Sequence, residues 1–155
     1  MINKIFKTPD TWEPFVLRVL LGLVIFPHGA QKLFGWFEGY GFDGTMTFFT
    51  EIVGIPWVLG FLVILLEALG SIVLLAGFAT RILAASYILL AIGIVTTSHL
   101  QHGFFMNWYG NQPGEGIEFF ILWVAISTAL LLSGGGRYSV DKCLSGVLPE
   151  QAHSF

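Results

Sequence analysis

Six ionisable side chains lie within or beside long apolar stretches of this 155-residue sequence: Arg18, His28, Lys32, Glu67, Arg81 and Glu118. An ionisable group inside a bilayer costs about 2.5–3.5 kcal/mol on insertion scales, so each of these side chains needs a partner or a function. A carboxylate, an imidazole and an ammonium group that lie together could bind a polar ligand head and exchange protons with it.

Helical periodicity brings several of these residues onto one face. At about 100° per residue, Arg18, His28 and Lys32 fall within a third of the circumference of the first apolar stretch. At about 1.5 Å per residue, His28 and Glu67 differ by only about 5 Å in depth. We therefore predict that Glu67 pairs with His28 or Lys32, and that these three are the candidate catalytic residues. Arg18, one turn inside the boundary, is expected to need no internal partner.

Structural alternatives remain open at each position. Arg18 and Lys32 can extend their charged ends to the headgroups. His28 can be a neutral histidine that bonds a carbonyl, and Glu67 can be a protonated structural residue. No one of these positions identifies a reaction.

A second group of candidate ligands is expected near the outer surface: His99, His102, Glu115 and Glu118. Imidazole and carboxylate suit zinc or copper, but on an ideal helix His99 projects about 120–140° away from the face of Thr97. We therefore predict no metal site. A haem held by His28 and His99 is a further alternative, although the sequence has no CxxCH motif for covalent attachment.

Composition places these residues in a membrane protein. The chain is 55% hydrophobic and 11% charged, with a mean hydropathy of +0.77. Seven Lys and Arg against ten Asp and Glu leave no basic surface for nucleic acid. The single cysteine, Cys143, excludes an intramolecular disulfide and a CxxC redox pair. We expect one membrane domain over residues 1–155, embedded in a lipid bilayer.

Four apolar runs predict four spans, over about 15–36, 56–78, 82–98 and 117–133. Each is close to the roughly 20 residues that cross a hydrocarbon core, and in lipid each must be helical. The first run is too long and too charged for a signal peptide, so we expect it to be retained. The fold class is therefore all-α, an integral membrane four-helix bundle. We see no internal repeat.

Lysine and arginine positions predict the orientation. Five lysine and arginine residues lie at the ends or connections that share one side of a four-span chain: Lys4, Lys7, Arg81, Arg137 and Lys142. Because these residues favour the cytoplasmic side, both termini are expected in the cytoplasm. The outer connections, about 34–55 and 100–116, are aromatic, and residues 45–55 could form a short helix at the interface.

The chain resembles the DoxX family of small four-helix bacterial membrane proteins over about residues 15–141. The resemblance rests on LRVLLGLVIFPHGAQKLFG in the first span, Glu67-Ala68-Leu69-Gly70 in the second, and Gly77 followed by Thr80-Arg81. It also rests on the loop HGFFMNWYGNQPGEGIEF and the glycine-rich end before Ser139-Val140-Asp141.

This resemblance implies a multi-pass protein of the bacterial inner membrane. The family takes its name from proteins associated with a terminal quinol oxidase, and related members resemble subunits of thiosulfate:quinone oxidoreductases. Quinone is the cofactor that the resemblance favours, ahead of haem or a metal. By motif, the residues carried over as cofactor-binding candidates are Arg18, His28, Lys32, Glu67, Arg81 and Glu118.

Three functions remain open. The first is a quinone-linked oxidoreductase subunit, which needs a membrane or peripheral redox partner because the sequence has no flavin, iron–sulfur or covalent haem motif. The second is a non-catalytic accessory or assembly subunit of a membrane redox complex. The third is a small proton-coupled carrier that uses Glu67, although four helices without a repeat favour it only in a homo-oligomer.

Overall fold

The computed structural model describes residues 5–147, and within that range the chain is helical and forms no strand. Six helices follow one another: α1 (Trp12–Phe34), α2 (Gly41–Thr47), α3 (Trp57–Ala76), α4 (Thr80–His102), α5 (Glu118–Ser133) and α6 (Val140–Val147). Lys4, used in the orientation argument, lies outside the described residues.

Three of these helices are long and apolar enough to cross a membrane. They are α1, α3 and α4, with 23, 20 and 23 residues. The fourth predicted span coincides with α5, which is apolar but has 16 residues. At about 1.5 Å per residue α5 is about 24 Å long, less than a hydrocarbon core of about 30 Å.

Two of the long helices contain π-helical segments, in which each backbone carbonyl accepts a hydrogen bond from the N–H five residues later instead of four. In α3 the segment is Leu66–Gly70, and in α4 it is Val95–His99, followed by a 3₁₀ turn. A third such segment, Phe48–Val53, continues α2. The helix expected over residues 45–55 is therefore present, and it begins earlier, at Gly41. Single π turns inside α-helices are frequent at functional sites.

The three long helices and α5 pack around one apolar core. α1 contacts α3 along its length, and α4 packs most extensively on α5. Tyr87, Leu74 and Ile25 are fully buried in this core. Large apolar side chains also cover the outside of the bundle, with Leu89 71% and Leu132 73% exposed. Helices with apolar side chains on both their inner and outer faces are typical of proteins that face lipid.

α1 and α3 approach each other closely at Gly29. A Cβ atom on this glycine would lie 2.3 Å from the backbone nitrogen of Ala68 and 2.4 Å from the carbonyl carbon of Glu67. Small residues let transmembrane helices approach closely. Gly29 therefore places Lys32, one turn further along α1, beside the carboxylate of Glu67.

Candidate functional site

A pocket of about 420 Å³ lies between α1, α3, α4 and α5, at the end of the bundle where the loop between α4 and α5 lies. Its walls combine ionisable side chains with aromatic and aliphatic ones: His28, Lys32, Glu67, Ile94, His99, Met106, Glu115, Phe119, Phe120 and Trp123. Ligand pockets typically have volumes of about 300–1,000 Å³ and combine apolar walls with a few convergent polar groups. The three candidate catalytic residues all line this pocket.

An ion pair joins two of them. The ammonium group of Lys32 contacts Oε2 of Glu67, as the depth argument predicted. The Glu67 side chain is 2% exposed and that of Lys32 is 25% exposed, so the carboxylate is buried and the ammonium group faces the pocket. Oε1 of Glu67 makes no hydrogen bond within residues 5–147. This oxygen can therefore accept a hydrogen bond from a ligand.

The π-helical segment of α3 surrounds Glu67. Tyr87, on α4, is fully buried and donates its hydroxyl hydrogen to the carbonyl oxygen of Leu66 at 3.1 Å. This bond joins α4 to the first residue of the π-helical segment. Tyr87 thus fixes the backbone immediately before Glu67.

His28 lies on the exposed side of the pocket. Its ring makes no hydrogen bond within the described part of the chain, although Lys32 and Glu67 line the same pocket. The alternative of a buried histidine that bonds a carbonyl is therefore not what the structure shows. The imidazole can donate or accept a proton at the pocket mouth.

His99 also lines the pocket, which the sequence did not predict. On an ideal helix Ile94 and His99, five residues apart, would diverge by about 140°. The π-helical turn Val95–His99 brings both onto the pocket wall. Nδ1 of His99 lies 2.8 Å from the carbonyl oxygen of Glu115, and its ring packs against Phe120. In the sequence, the only sign of this arrangement is that Ile94 and His99 are five residues apart, and an analysis that assumes 3.6 residues per turn does not place such residues on one face.

The loop between α4 and α5 forms one wall of the pocket through Met106 and Glu115. Oε1 of Glu118 accepts hydrogen bonds from the backbone N–H of Met106 at 3.1 Å and from the indole N–H of Trp108 at 2.9 Å. Oε2 of Glu115 accepts from the backbone N–H of Asn107 at 2.6 Å. Glu118 does not line the pocket. It acts on the pocket indirectly, by holding the loop that carries Met106.

Arg18 lies away from the pocket, and the expectation that it needs no internal partner is wrong. The residue is 1% exposed, and its guanidinium donates to backbone carbonyl oxygens at the opposite end of the bundle. These acceptors belong to Leu74, Leu75, Gly135, Arg137 and Tyr138. Two of them, Leu74 and Leu75, lie in the last turn of α3, where a helix favours positive charge, and the Leu74 carbonyl also accepts from the backbone N–H of Gly77.

Arg81 makes similar contacts at the end of α5 to those that Arg18 makes at the end of α3. Its guanidinium donates to the carbonyl oxygens of Leu131 and Leu132, and to that of Lys7 at 3.0 Å. Asp141, fully buried, accepts from the backbone N–H groups of Ala79 and Thr80 at 2.7 and 2.9 Å, and so caps the start of α4. The structure thus does not bring Arg18 or Arg81 to the pocket. Their contacts join helix ends to the chain termini.

No cluster of three or more His, Cys, Asp or Glu side chains within residues 5–147 has the geometry to hold a metal ion. His99 and Glu115 approach each other through a ring nitrogen and a backbone carbonyl, and Glu118 is engaged with the loop. Three of the four candidate ligands, His99, Glu115 and Glu118, therefore make contacts within or to the loop.

Comparison with known proteins identifies relatives. The family model DoxX matches residues 14–100. The chain is 30% identical over 126 residues to a Bacillus subtilis (strain 168) protein named "Putative oxidoreductase CatD", which covers 81% of this chain and 82% of that protein. It is 27% identical over 114 residues to "Inner membrane protein YphA" of Escherichia coli (strain K12), covering 71% and 79%. No solved structure matches.

Proposed function

The chain belongs to the DoxX family of membrane proteins, and we propose that it is the quinone-binding membrane subunit of an oxidoreductase. The observation that carries this proposal is the buried Glu67 carboxylate paired with Lys32 on the wall of an apolar pocket. The name of the Bacillus subtilis relative supports a redox role.

The pocket residues fit a quinone head. A quinone is a flat ring with two carbonyl oxygens, and Phe119, Phe120 and Trp123 offer aromatic surfaces for it. Lys32 can donate a hydrogen bond to a ring oxygen, while Glu67 and His28 can move protons between that oxygen and the outer aqueous side. A bound quinone supplies the electron-accepting chemistry, and the electrons come from a membrane or peripheral redox partner.

The test is to purify the protein in mild detergent and extract bound lipids for mass analysis. We expect a stoichiometric quinone in the wild-type protein and its loss in Glu67→Gln. Glu51→Gln, an exposed carboxylate outside the pocket, is the matched control and should retain it. The proposal fails if no quinone is extracted and none binds when it is added to the purified protein.

We further propose that four spans cross a bacterial inner membrane, with α5 as the last span and both termini in the cytoplasm. Lys7, Arg81 and Arg137 lie at one end of the bundle, where Arg81 donates to the Lys7 carbonyl and the Arg137 N–H donates to Thr11. Such positive charges favour the cytoplasmic side. The name of the Escherichia coli relative supports the inner membrane.

Cys143 provides a direct test of this orientation, because it is the single cysteine and its side chain is exposed. We expect a membrane-impermeant maleimide to leave Cys143 unlabelled in intact spheroplasts and to label it after permeabilisation. A second protein, Trp108→Cys in a Cys143→Ser background, should label in intact spheroplasts. The reverse pattern would invert the proposed orientation.

An accessory subunit is the second candidate function, and the outer loop favours it. Trp108 and Tyr109 are 78% and 90% exposed at the end of the bundle that holds the pocket. Exposed aromatic residues are enriched at protein interfaces. An accessory subunit would lose its partner on Trp108→Ala and keep it on Glu67→Gln, whereas a quinone subunit would lose turnover on Glu67→Gln.

A further inference from the structure

A second groove, of about 600 Å³, lies at the opposite end of the bundle from the pocket of Glu67 and Lys32. Its walls come from the segment before α1 and from the segment around α6, and they include Asp10, Arg137 and Lys142. No residue that lines this groove also lines the pocket. The groove is therefore a separate site, and the proposed quinone subunit leaves it without a role.

The charged side chains of the groove favour an anion. Nε of Arg137 lies 3.2 Å and Nζ of Lys142 lies 2.6 Å from the same oxygen, Oδ1 of Asp10. One carboxylate thus faces two cations, each 38% exposed, so the lining keeps a net positive charge. Nη1 and Nη2 of Arg137 donate to no acceptor within residues 5–147. These two groups form the planar fork with which an arginine binds two oxygens of a phosphate.

The surroundings of the groove place it at the level of lipid headgroups. Trp12 and Tyr138 are both exposed, with ring centroids 5.8 Å apart, and the Arg137 guanidinium lies 5.1 Å from the Trp12 ring. Tryptophan and tyrosine are enriched at the membrane–water interface. Further along the same face of α1, Val16 and Leu23 are exposed apolar residues. A lipid with its headgroup in the groove can therefore lay its acyl chains along α1.

We propose that this groove binds the phosphate group of an anionic membrane lipid, such as phosphatidylglycerol, through Arg137 and Lys142. Clusters of basic side chains at a membrane surface recognise anionic headgroups. The Asp10 carboxylate competes with the phosphate for the same two cations and so limits the affinity of the site. The inference does not depend on the quinone proposal, because the two sites share no residue.

The experiment is native mass spectrometry of the protein in detergent with an equimolar mixture of phosphatidylglycerol and phosphatidylcholine of the same chain length. We expect phosphatidylglycerol to be retained in preference to phosphatidylcholine. Lys142→Gln should lower this preference about fivefold, the effect of one cation near a membrane surface. Lys7→Gln is the matched control and should leave the preference unchanged, because it removes an exposed lysine that does not line the groove.

Asp10→Asn gives the sharpest test, because it should strengthen binding. Removing the competing carboxylate should raise the preference for phosphatidylglycerol by up to about fivefold, the value of an exposed ion pair. A damaged fold does not produce such a gain. A lower preference in Asp10→Asn, or equal losses in Lys142→Gln and Lys7→Gln, would overturn the site.

Cys143 reports on the groove in the unsubstituted protein, because its exposed side chain lies on the groove wall. We expect phosphatidylglycerol to slow the reaction of Cys143 with N-ethylmaleimide, and phosphatidylcholine and inorganic phosphate to leave the rate unchanged. An unchanged rate with phosphatidylglycerol would place the lipid elsewhere and refute the proposal. If inorganic phosphate slowed the reaction as strongly, the groove would be a site for soluble phosphate and the lipid assignment would be wrong.

Discussion

The substitution Gly29→Ala tests whether the contact between α1 and α3 positions the ion pair. The new Cβ would lie 2.3 Å from the backbone nitrogen of Ala68 and 2.5 Å from its Cα. Ordinary carbon contacts are about 3.5 Å or longer, so the helices must separate by about 1 Å. The obstructing atoms are backbone atoms, and no rotamer change can relieve the overlap. Overpacking of this kind costs about 1–3 kcal/mol, and we expect the upper end.

The opposing effect is the higher helix propensity of alanine, worth about 1 kcal/mol. The net expected loss is about 2 kcal/mol, or about 4–8 °C in Tm for a chain of this size. Thermal unfolding followed by circular dichroism in detergent measures it. Gly93→Ala is the matched control, because a Cβ there meets nothing within 4 Å, and it should be neutral or stabilising.

A further measurement connects this packing to the ion pair. In the Gly29→Ala background, Glu67→Gln should cost less than it does in the wild type, because Lys32 has already moved away from the carboxylate. The reasoning is refuted if Gly29→Ala unfolds like Gly93→Ala, or if the cost of Glu67→Gln is the same in both backgrounds.

Three other predictions follow from contacts described above. Glu67→Gln should destabilise the protein by about 1.5–3 kcal/mol, because it removes one partner of a partly buried charge pair. Adding Lys32→Met should recover most of this loss in thermal unfolding, whereas additive losses would show that the two residues are not coupled. Arg18→Lys should cost about 3 kcal/mol because an ammonium group cannot reach all five carbonyl acceptors, and an unchanged Tm would contradict that role. Glu118→Ala should speed proteolysis of the loop between α4 and α5, with the helical melting curve unchanged; an unaltered cleavage rate would exclude Glu118 as the residue that holds the loop.

The ion pair was predictable from the sequence, and the contacts of Arg18 were not. Lys32 and Glu67 are charged residues at matching depths in apolar helices, so the cost of burying each one alone predicts their contact. Arg18 was misread because its partners are backbone carbonyls, some of them 117 to 120 residues away in the chain. Every residue has a carbonyl, so the sequence carries no sign of which ones an arginine will meet.

The first two spans were placed within a few residues of the observed helices. The first and second, expected over about 15–36 and 56–78, are found at Trp12–Phe34 and Trp57–Ala76. The third, expected to end near residue 98, continues to His102 through the π-helical and 3₁₀ turns. The role of His99 was missed for the same reason, since helical periodicity assumes a constant turn and α4 departs from it at Val95.

Because two π-helical segments flank the pocket, its geometry also depends on the number of residues within those segments of α3 and α4. Each behaves as a one-residue insertion into an α-helix, which rotates all later side chains by about 100° relative to the earlier ones. Deleting one residue within Leu66–Gly70 would leave an apolar helix of nearly the same length and hydropathy. It would nevertheless turn Ser71 and Leu74 out of the core, although no pocket side chain had been replaced. In relatives, a single-residue gap in these segments should therefore accompany a change of ligand more reliably than a substitution elsewhere in the spans.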